Sequence, residues 1–181
     1  EIVTSELRSA TALSVDAGML EGDVDPSEYS VPSVEPHGQN EHHDGPVFLV
    51  ELIARVLAAA TAQDREAVRA IATGWRSLGG TLGLRLLLHA FRDPALFSAD
   101  EALTAIVDMP IAAFWTIRRE LALAIRERAA EAEPGLAARV ETRTLAEGPD
   151  YYARFQTEEG QADWRSHALD AAIWLRLNML A

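Results

Sequence analysis

The sequence predicts an all-α fold in which consecutive helices form antiparallel hairpins behind an acidic, irregular N-terminal segment. From about residue 47 onward, apolar residues recur at intervals of three and four, which is the spacing of one helix face. No alternating apolar and polar run of any length indicates a strand. The connections are short, which favours antiparallel neighbours. Because no fixed-period repeat emerges, an irregular bundle and an α-solenoid-like stack both stay open.

The first 46 residues differ in composition from the rest of the chain. They contain ten acidic residues and one arginine, Arg8, whereas residues 47–181 contain 15 arginines and 18 acidic residues. Prolines and glycines recur between residues 21 and 46, which predicts an irregular acidic linker. A short helix is predicted before it, over about residues 5–19. We therefore predict an N-terminal extension over residues 1–46 and a helical domain over residues 47–181.

Three helices are predicted after this extension. Pro46 suits the first turn of a helix that Asp44 caps, and Asp64 caps the next helix, which ends at the pair Gly79–Gly80. The third helix, about residues 81–92, is apolar on most sides and is therefore predicted to be central and mostly buried. The inward face predicted for the first of these helices contains Leu49, Leu52, Ile53, Val56 and Leu57.

Four more helices are predicted toward the C-terminus. Ser98 and Glu101 have the spacing of a capping box, which opens a helix to about Asp108. A long helix follows over about residues 111–132, and Pro134 starts another that ends before Gly148 and Pro149. The last helix runs from about Gln161, with a predicted inward face of Trp164, Ala168, Ala171, Leu175 and Met179. It becomes apolar on nearly all sides after Asp170, so we expect a longer protein that continues beyond Ala181.

Composition excludes several kinds of chemistry. All sixteen basic residues are arginine and there is no cysteine, which excludes a P-loop lysine, a Schiff-base lysine and a thiolate nucleophile. The net charge of -12 makes nucleic acid an unlikely partner, because phosphate contacts dominate that affinity. No targeting segment or membrane-length apolar run is evident, so we expect a cytoplasmic protein without a membrane segment. No cofactor is predicted.

Several polar and aromatic residues on predicted helices could contact a partner. Arg85, His89 and Arg92 form a polar stripe at i, i+4 and i+7 on the apolar third helix, although a solvated stripe is the simpler interpretation. The other candidates combine aromatic and basic or imidazole groups, which can also stack on nucleic acid, although nearby glutamates cancel the charge. These other candidates are Trp115, Arg118, Arg119, Trp164 and His167.

Two weaker hypotheses concern catalysis. His37, His42, His43 and Asp44 could hold zinc or a related metal and support a metal-dependent hydrolase, although their spacing matches no recognised ligand motif. His167 lies between Asp163 and Asp170 and could act as a general base, a pattern that also arises on ordinary polar helix faces. The sequence therefore predicts no complete active site, and a surface loop is the simpler interpretation of the histidine cluster.

Three segments resemble a known group of proteins when they are taken together. They are Leu86–Ser98, Phe114–Leu121 with its Arg118–Arg119 pair, and Asp163–Ala168. They resemble the helical C-terminal region, often described only as a domain of unknown function, of large bacterial antiphage proteins with a sirtuin-like or signalling-ATPase N-terminal part. The resemblance implies a non-catalytic scaffold or sensor that binds a protein or peptide, with any enzyme outside this chain. The alternatives remain a metal-dependent hydrolase and a nucleic-acid-binding helical domain.

Overall fold

A computed structural model describes residues 1–18, 27–43, 45–153 and 162–180. The chain is 79% helical, and the described ranges contain no strand, which confirms the predicted all-α class. The chain forms two compact units, Glu1–Phe97 (unit 1) and Ser98–Ala181 (unit 2). The boundary predicted after residue 46 therefore lies inside unit 1.

Unit 1 contains five α-helices within the described ranges. They are α1 (Ile2–Asp16), α2 (Ser27–Ser30), α3 (Pro46–Gln63), α4 (Arg65–Gly74) and α5 (Leu82–Phe91). Two 3-10 helices, Gly38–His42 and Trp75–Ser77, connect them. The helix α1 packs along α3, and the indole Nε1 of Trp75 donates to Thr4 Oγ1 at 3.4 Å. The predicted early helix thus exists and belongs to the core of unit 1.

Local sequence signals set the ends of the helices in unit 1. The side chain of Asp64 accepts from the backbone N–H of Ala67 at 3.0 Å, which confirms the predicted cap. Pro46 stands at the start of α3 as predicted, while its predicted cap Asp44 lies outside the described residues. The predicted burial of α5 is confirmed. The inward face of α3 is corrected: Ile53 and Leu57 are buried, but Val56 is exposed.

Unit 2 contains five α-helices within the described ranges. They are α6 (Ala99–Val107), α7 (Ile111–Thr116), α8 (Arg119–Arg128), α9 (Pro134–Ala153) and α10 (Ala162–Asn178), with a 3-10 helix at Ala129–Glu131. The predicted capping box is confirmed, because Ser98 and Glu101 exchange both hydrogen bonds. The core of this unit is aromatic, with Trp115 stacked on Tyr151 at 6.0 Å between ring centroids and edge-on to Phe114.

The single long helix predicted over residues 111–132 is wrong. The chain leaves the helical conformation at Ile117, where ψ is 114°, and α8 begins two residues later. A long-range contact supports this interruption: the guanidinium of Arg176 donates to the carbonyl oxygens of Phe114 at 2.6 Å and Trp115 at 3.3 Å. These hydrogen bonds satisfy carbonyl groups that the end of α7 leaves without helical partners.

The predicted break at Gly148–Pro149 is also wrong, because α9 continues through Pro149 to Ala153. A proline inside a helix removes one hydrogen bond and crowds the preceding turn. Packing beyond the proline offsets this cost. Tyr151 and Tyr152 are both buried against Trp115, and the hydroxyl of Tyr151 hydrogen-bonds the hydroxyl of Thr116 at 3.0 Å.

Candidate protein-docking site on the last helix

The helix α10 faces the core with a different side from the one that its apolar pattern predicts. Ala172 and Arg176 are buried, whereas Trp164 is 64% exposed and Ala171 is also exposed. The predicted inward face through Trp164 and Ala171 is therefore wrong. The physical reason is Arg176, because its guanidinium must reach the carbonyl groups of α7 and so turns its own side of the helix inward.

Arg176 is the most deeply buried charged side chain described in unit 2, with an exposed fraction of 1%. Besides its bonds to α7, it donates to the carbonyl oxygen of Ala172 at 2.8 Å. Its guanidinium lies 4.3 Å from the ring centroid of Trp115 and 5.1 Å from that of Phe114. Burial lowers the pKa of Arg176 from 12.5 to about 10, so the side chain stays charged at neutral pH.

The orientation fixed by Arg176 leaves the opposite face of α10 exposed. We call this the tryptophan face and define it as Trp164, His167, Ala171 and Trp174. All four residues are exposed, and Trp174 has the same exposed fraction as Trp164, 64%. Ten residues of helix separate the two indoles, which is about 15 Å along the axis, and the four positions fall within about 80° of one another. Two large aromatic side chains thus stand together on one surface.

A close approach between helices also holds α10 in place. A Cβ atom added to Gly148 in α9 would lie 2.9 Å from the Trp115 ring and 3.1 Å from Leu169 of α10. The glycine therefore allows α9 to approach the aromatic core and α10 at the same level. The contact places Leu169 on the inner side of α10, away from the tryptophan face.

The polar stripe of α5 forms a separate cluster in unit 1. Glu35 receives a contact of 2.5 Å from Nδ1 of His89 and an ion pair from Arg92. Nearby, Arg85 is buried and reaches the carbonyl oxygen of Ser27 at 3.4 Å. The solvated stripe that was the simpler interpretation is therefore wrong for Arg85, and Glu35 is the residue that brings His89 and Arg92 together.

The electrostatics of Glu35 follow from this geometry. Burial alone would raise the pKa of Glu35, but the hydrogen bonds and charges of His89 and Arg92 outweigh it. The pKa of Glu35 consequently falls from 4.5 to about 2. The cluster joins the N-terminal segment to α5, so its evident role is structural.

The remaining predicted partner residues fall into two groups. Trp115 is 1% exposed and belongs to the aromatic core of unit 2, while Arg118 and Arg119 are exposed between α7 and α8. Trp164 and His167 lie together on the tryptophan face. Their role in binding a partner stays a prediction, and burial removes Trp115 from any surface.

The predicted histidine cluster does not come together as a metal site in the part of the chain that is described. Nδ1 of His37 accepts from the backbone N–H of Gln39 at 3.2 Å, which caps the 3-10 helix that ends at His42. Among the described residues, no group of three His, Asp or Glu side chains could hold a metal ion. Asp44 lies outside those residues, as does the structural description of the side chain of Asp163.

Three functional or structural residues escaped the sequence analysis: Glu35, Trp174 and Arg176. Trp174 carried a usable signal, since it lies ten residues after Trp164, close to three helical turns. Glu35 and Arg176 carried none, because their partners are far away in the sequence.

The helix α3 is long and apolar enough to cross a membrane by length and composition. Core helices of proteins without membrane segments have the same property, and α3 packs against α1, α4 and α5. The prediction that the chain has no membrane segment therefore stays a prediction.

Comparison with known proteins finds one informative relative. The chain is 35% identical over 179 residues to uncharacterized protein y4cA of Sinorhizobium fredii (strain NBRC 101917 / NGR234). The match covers 99% of this chain and 15% of that protein, so the chain spans about one seventh of the length of the curated relative that it matches. No family model and no solved structure matches the chain. The resemblance to antiphage proteins stays a prediction.

Proposed function

We propose that this chain is a non-catalytic helical scaffold or sensor module of a larger protein, and that it binds a protein or peptide through the tryptophan face of α10. The observation that carries the proposal is the joint exposure of Trp164 and Trp174, each at 64%, on one side of one helix. Tryptophan is strongly enriched among the residues that dominate binding energy at protein interfaces.

The chemistry of the face favours a protein partner. Each indole combines a large apolar surface with one N–H donor, and His167 between them adds a polar group. Single exposed apolar residues are ordinary, but two large aromatic groups on one rigid helix form a small apolar patch with a polar edge. An amphipathic helix laid along this face would contact both indoles in about three of its own turns.

The larger relative supports the module character of the chain. A segment with its own packed units that matches 15% of a longer protein fits one part of a multidomain chain. The activity of any such longer protein is outside this proposal. The antiphage context is a further expectation, supported by the resemblance of the three sequence segments alone.

A displayed library of random helical peptides provides the test. Peptides are selected on the wild-type chain and then measured on the double variant Trp164→Ala, Trp174→Ala. The proposal expects selected peptides that lose at least about 30-fold in affinity on the double variant, the loss for removing one interfacial hot spot. Phe48→Ala is the matched control, because Phe48 of α3 is 67% exposed and lies in the other unit.

The outcome that contradicts the proposal is equally specific. If selection yields no peptide above background, or only peptides that bind the double variant as tightly as the wild type, the tryptophan face is not a docking site. Circular dichroism of each variant shows whether the helical content is retained, and exposed positions on α10 should retain it.

A further inference from the structure

We propose that the partner of the tryptophan face is a second copy of this chain, bound through an antiparallel pairing of two α10 helices. The inference rests on the proposed function and names the occupant of the same surface. Three features of α10 point to it: the symmetry of the residue spacing, the local charge and the exposed area.

The spacing of the tryptophan face reads the same in both directions. Its four residues are separated by three, four and three positions, with a tryptophan at each end. In an antiparallel pair centred at the level of position 169, Trp164 of one copy lies opposite Trp174 of its partner, and His167 lies opposite Ala171. Such an arrangement is self-complementary, as a two-fold interface requires. The small side chain of Ala171 also leaves room beside the imidazole.

Local charge permits two copies to approach at α10. The whole chain has a net charge of -12, so two copies repel one another over most of their surfaces. The sequence of α10 contains two aspartates and two arginines and is therefore formally neutral. A pairing of two neutral helices avoids the like-charge contact that a pairing through an acidic face would create.

The exposed area predicts a weak dimer. A tryptophan buries up to about 250 Å² on full burial. Four indoles that are each 64% exposed would therefore contribute about 600 Å² to a pair of chains. A stable specific interface buries at least about 1,200 Å² in total, so the neighbouring residues must supply the other half. We expect a reversible dimer with a micromolar dissociation constant.

Sedimentation of the 181-residue chain over a range of concentrations tests the dimer. The wild type is expected to change from monomer to dimer as its concentration rises, and Trp164→Ala or Trp174→Ala should each weaken the dimer by about 30-fold or more. Ala171→Arg is a second test, because it places a bulky charge at the centre of the face without touching the core. Phe48→Ala should leave the association unchanged.

Cross-linking tests the antiparallel register. The chain has no cysteine, so single substitutions His167→Cys and Ala171→Cys introduce the only thiols. In the antiparallel pair these two positions face each other, so a short bismaleimide should join the two variants in a mixture more readily than it joins either variant to itself. A parallel pair would reverse this result, and that reversal would overturn the proposed register.

The outcomes separate the second copy from other partners. A chain that stays monomeric at several hundred micromolar, or a dimer that persists in both tryptophan variants and in Ala171→Arg, overturns the inference. If such a chain still binds selected peptides in a tryptophan-dependent manner, the proposed function stands and its partner is a different protein. Loss of both results would remove both proposals.

Discussion

Unit 1 buries a carboxylate and unit 2 buries a guanidinium, and different groups stabilise the two charges. In unit 1, Glu35 is matched by the cationic side chains His89 and Arg92. In unit 2, Arg176 is matched by backbone carbonyl oxygens and by the faces of two aromatic rings. Among the described residues, no carboxylate pairs with Arg176.

The comparison teaches how each unit positions its outer surface. An ion pair can join two segments without fixing the direction of either helix, because charges attract over a range of geometries. A guanidinium that donates to three carbonyl oxygens is directional and fixes the rotation of the helix that carries it. Arg176 therefore determines that Trp164 and Trp174 face away from the core of unit 2.

The largest expected effect comes from Arg176→Ala. This change removes the donors to the end of α7 and leaves a cavity beside Trp115, so we expect unit 2 to lose about 3–4 kcal/mol of unfolding free energy. Urea unfolding followed by tryptophan fluorescence measures it. Arg118→Ala, at an exposed position, should stay within about 0.5 kcal/mol of the wild type. An equal effect of both changes would show that Arg176 does not hold α10.

The next effect is Glu35→Gln, for which we expect a loss of about 2–3 kcal/mol at pH 7. The sign of the pH dependence follows from the lowered pKa of Glu35. Its stabilisation is fully present above pH 4.5 and is lost as the pH falls toward about 2. Urea midpoints of wild type and variant should therefore converge in that window. A constant difference between them down to pH 2 would contradict the ion cluster.

A smaller effect with a built-in control comes from two glycines of α9. Gly148→Ala places a Cβ at 2.9 Å from Trp115, and we expect it to destabilise unit 2 by about 1–2 kcal/mol, as overpacking does. Gly135→Ala meets nothing within 4 Å and should stabilise the same helix by up to about 1 kcal/mol. Thermal unfolding of the two variants should shift in opposite directions. Shifts of the same sign would contradict the close packing at Gly148.

The smallest effect on stability is expected for the tryptophan face itself. Trp174→Ala should change the unfolding free energy by less than about 0.5 kcal/mol, because the indole is exposed. Chemical denaturation of this variant beside Arg176→Ala separates the two sides of α10. A large loss of stability in Trp174→Ala would show that the indole serves the core rather than a partner.

The sequence predicts what local interactions determine. Asp64 and the pair Ser98 and Glu101 act within a few residues, and their caps were predicted correctly. The break at Ile117 was not predictable, because neither glycine nor proline marks it and its support comes from Arg176, about 60 residues later. Glu35 lies 54 residues from His89 and was hidden for the same reason.

The orientation of α10 shows the limit of hydrophobic patterns. The pattern placed Trp164 inside because indoles are usually buried, and it gave no weight to an arginine as a core residue. Orphan carbonyl oxygens at the end of α7 reverse this order, because an unsatisfied buried carbonyl costs more than an exposed indole. The candidate site was therefore only partly predicted, with Trp164 and His167 identified and Trp174 missed.

The most direct test of the docking surface is the affinity of the strongest library-selected peptide for the wild type and for the variant Trp164→Ala, Trp174→Ala. Titration calorimetry on both folded chains measures it, with Phe48→Ala as the control. The account predicts a loss of at least about 30-fold on the double variant and no change on the control. Equal affinities for the wild type and the double variant would contradict it.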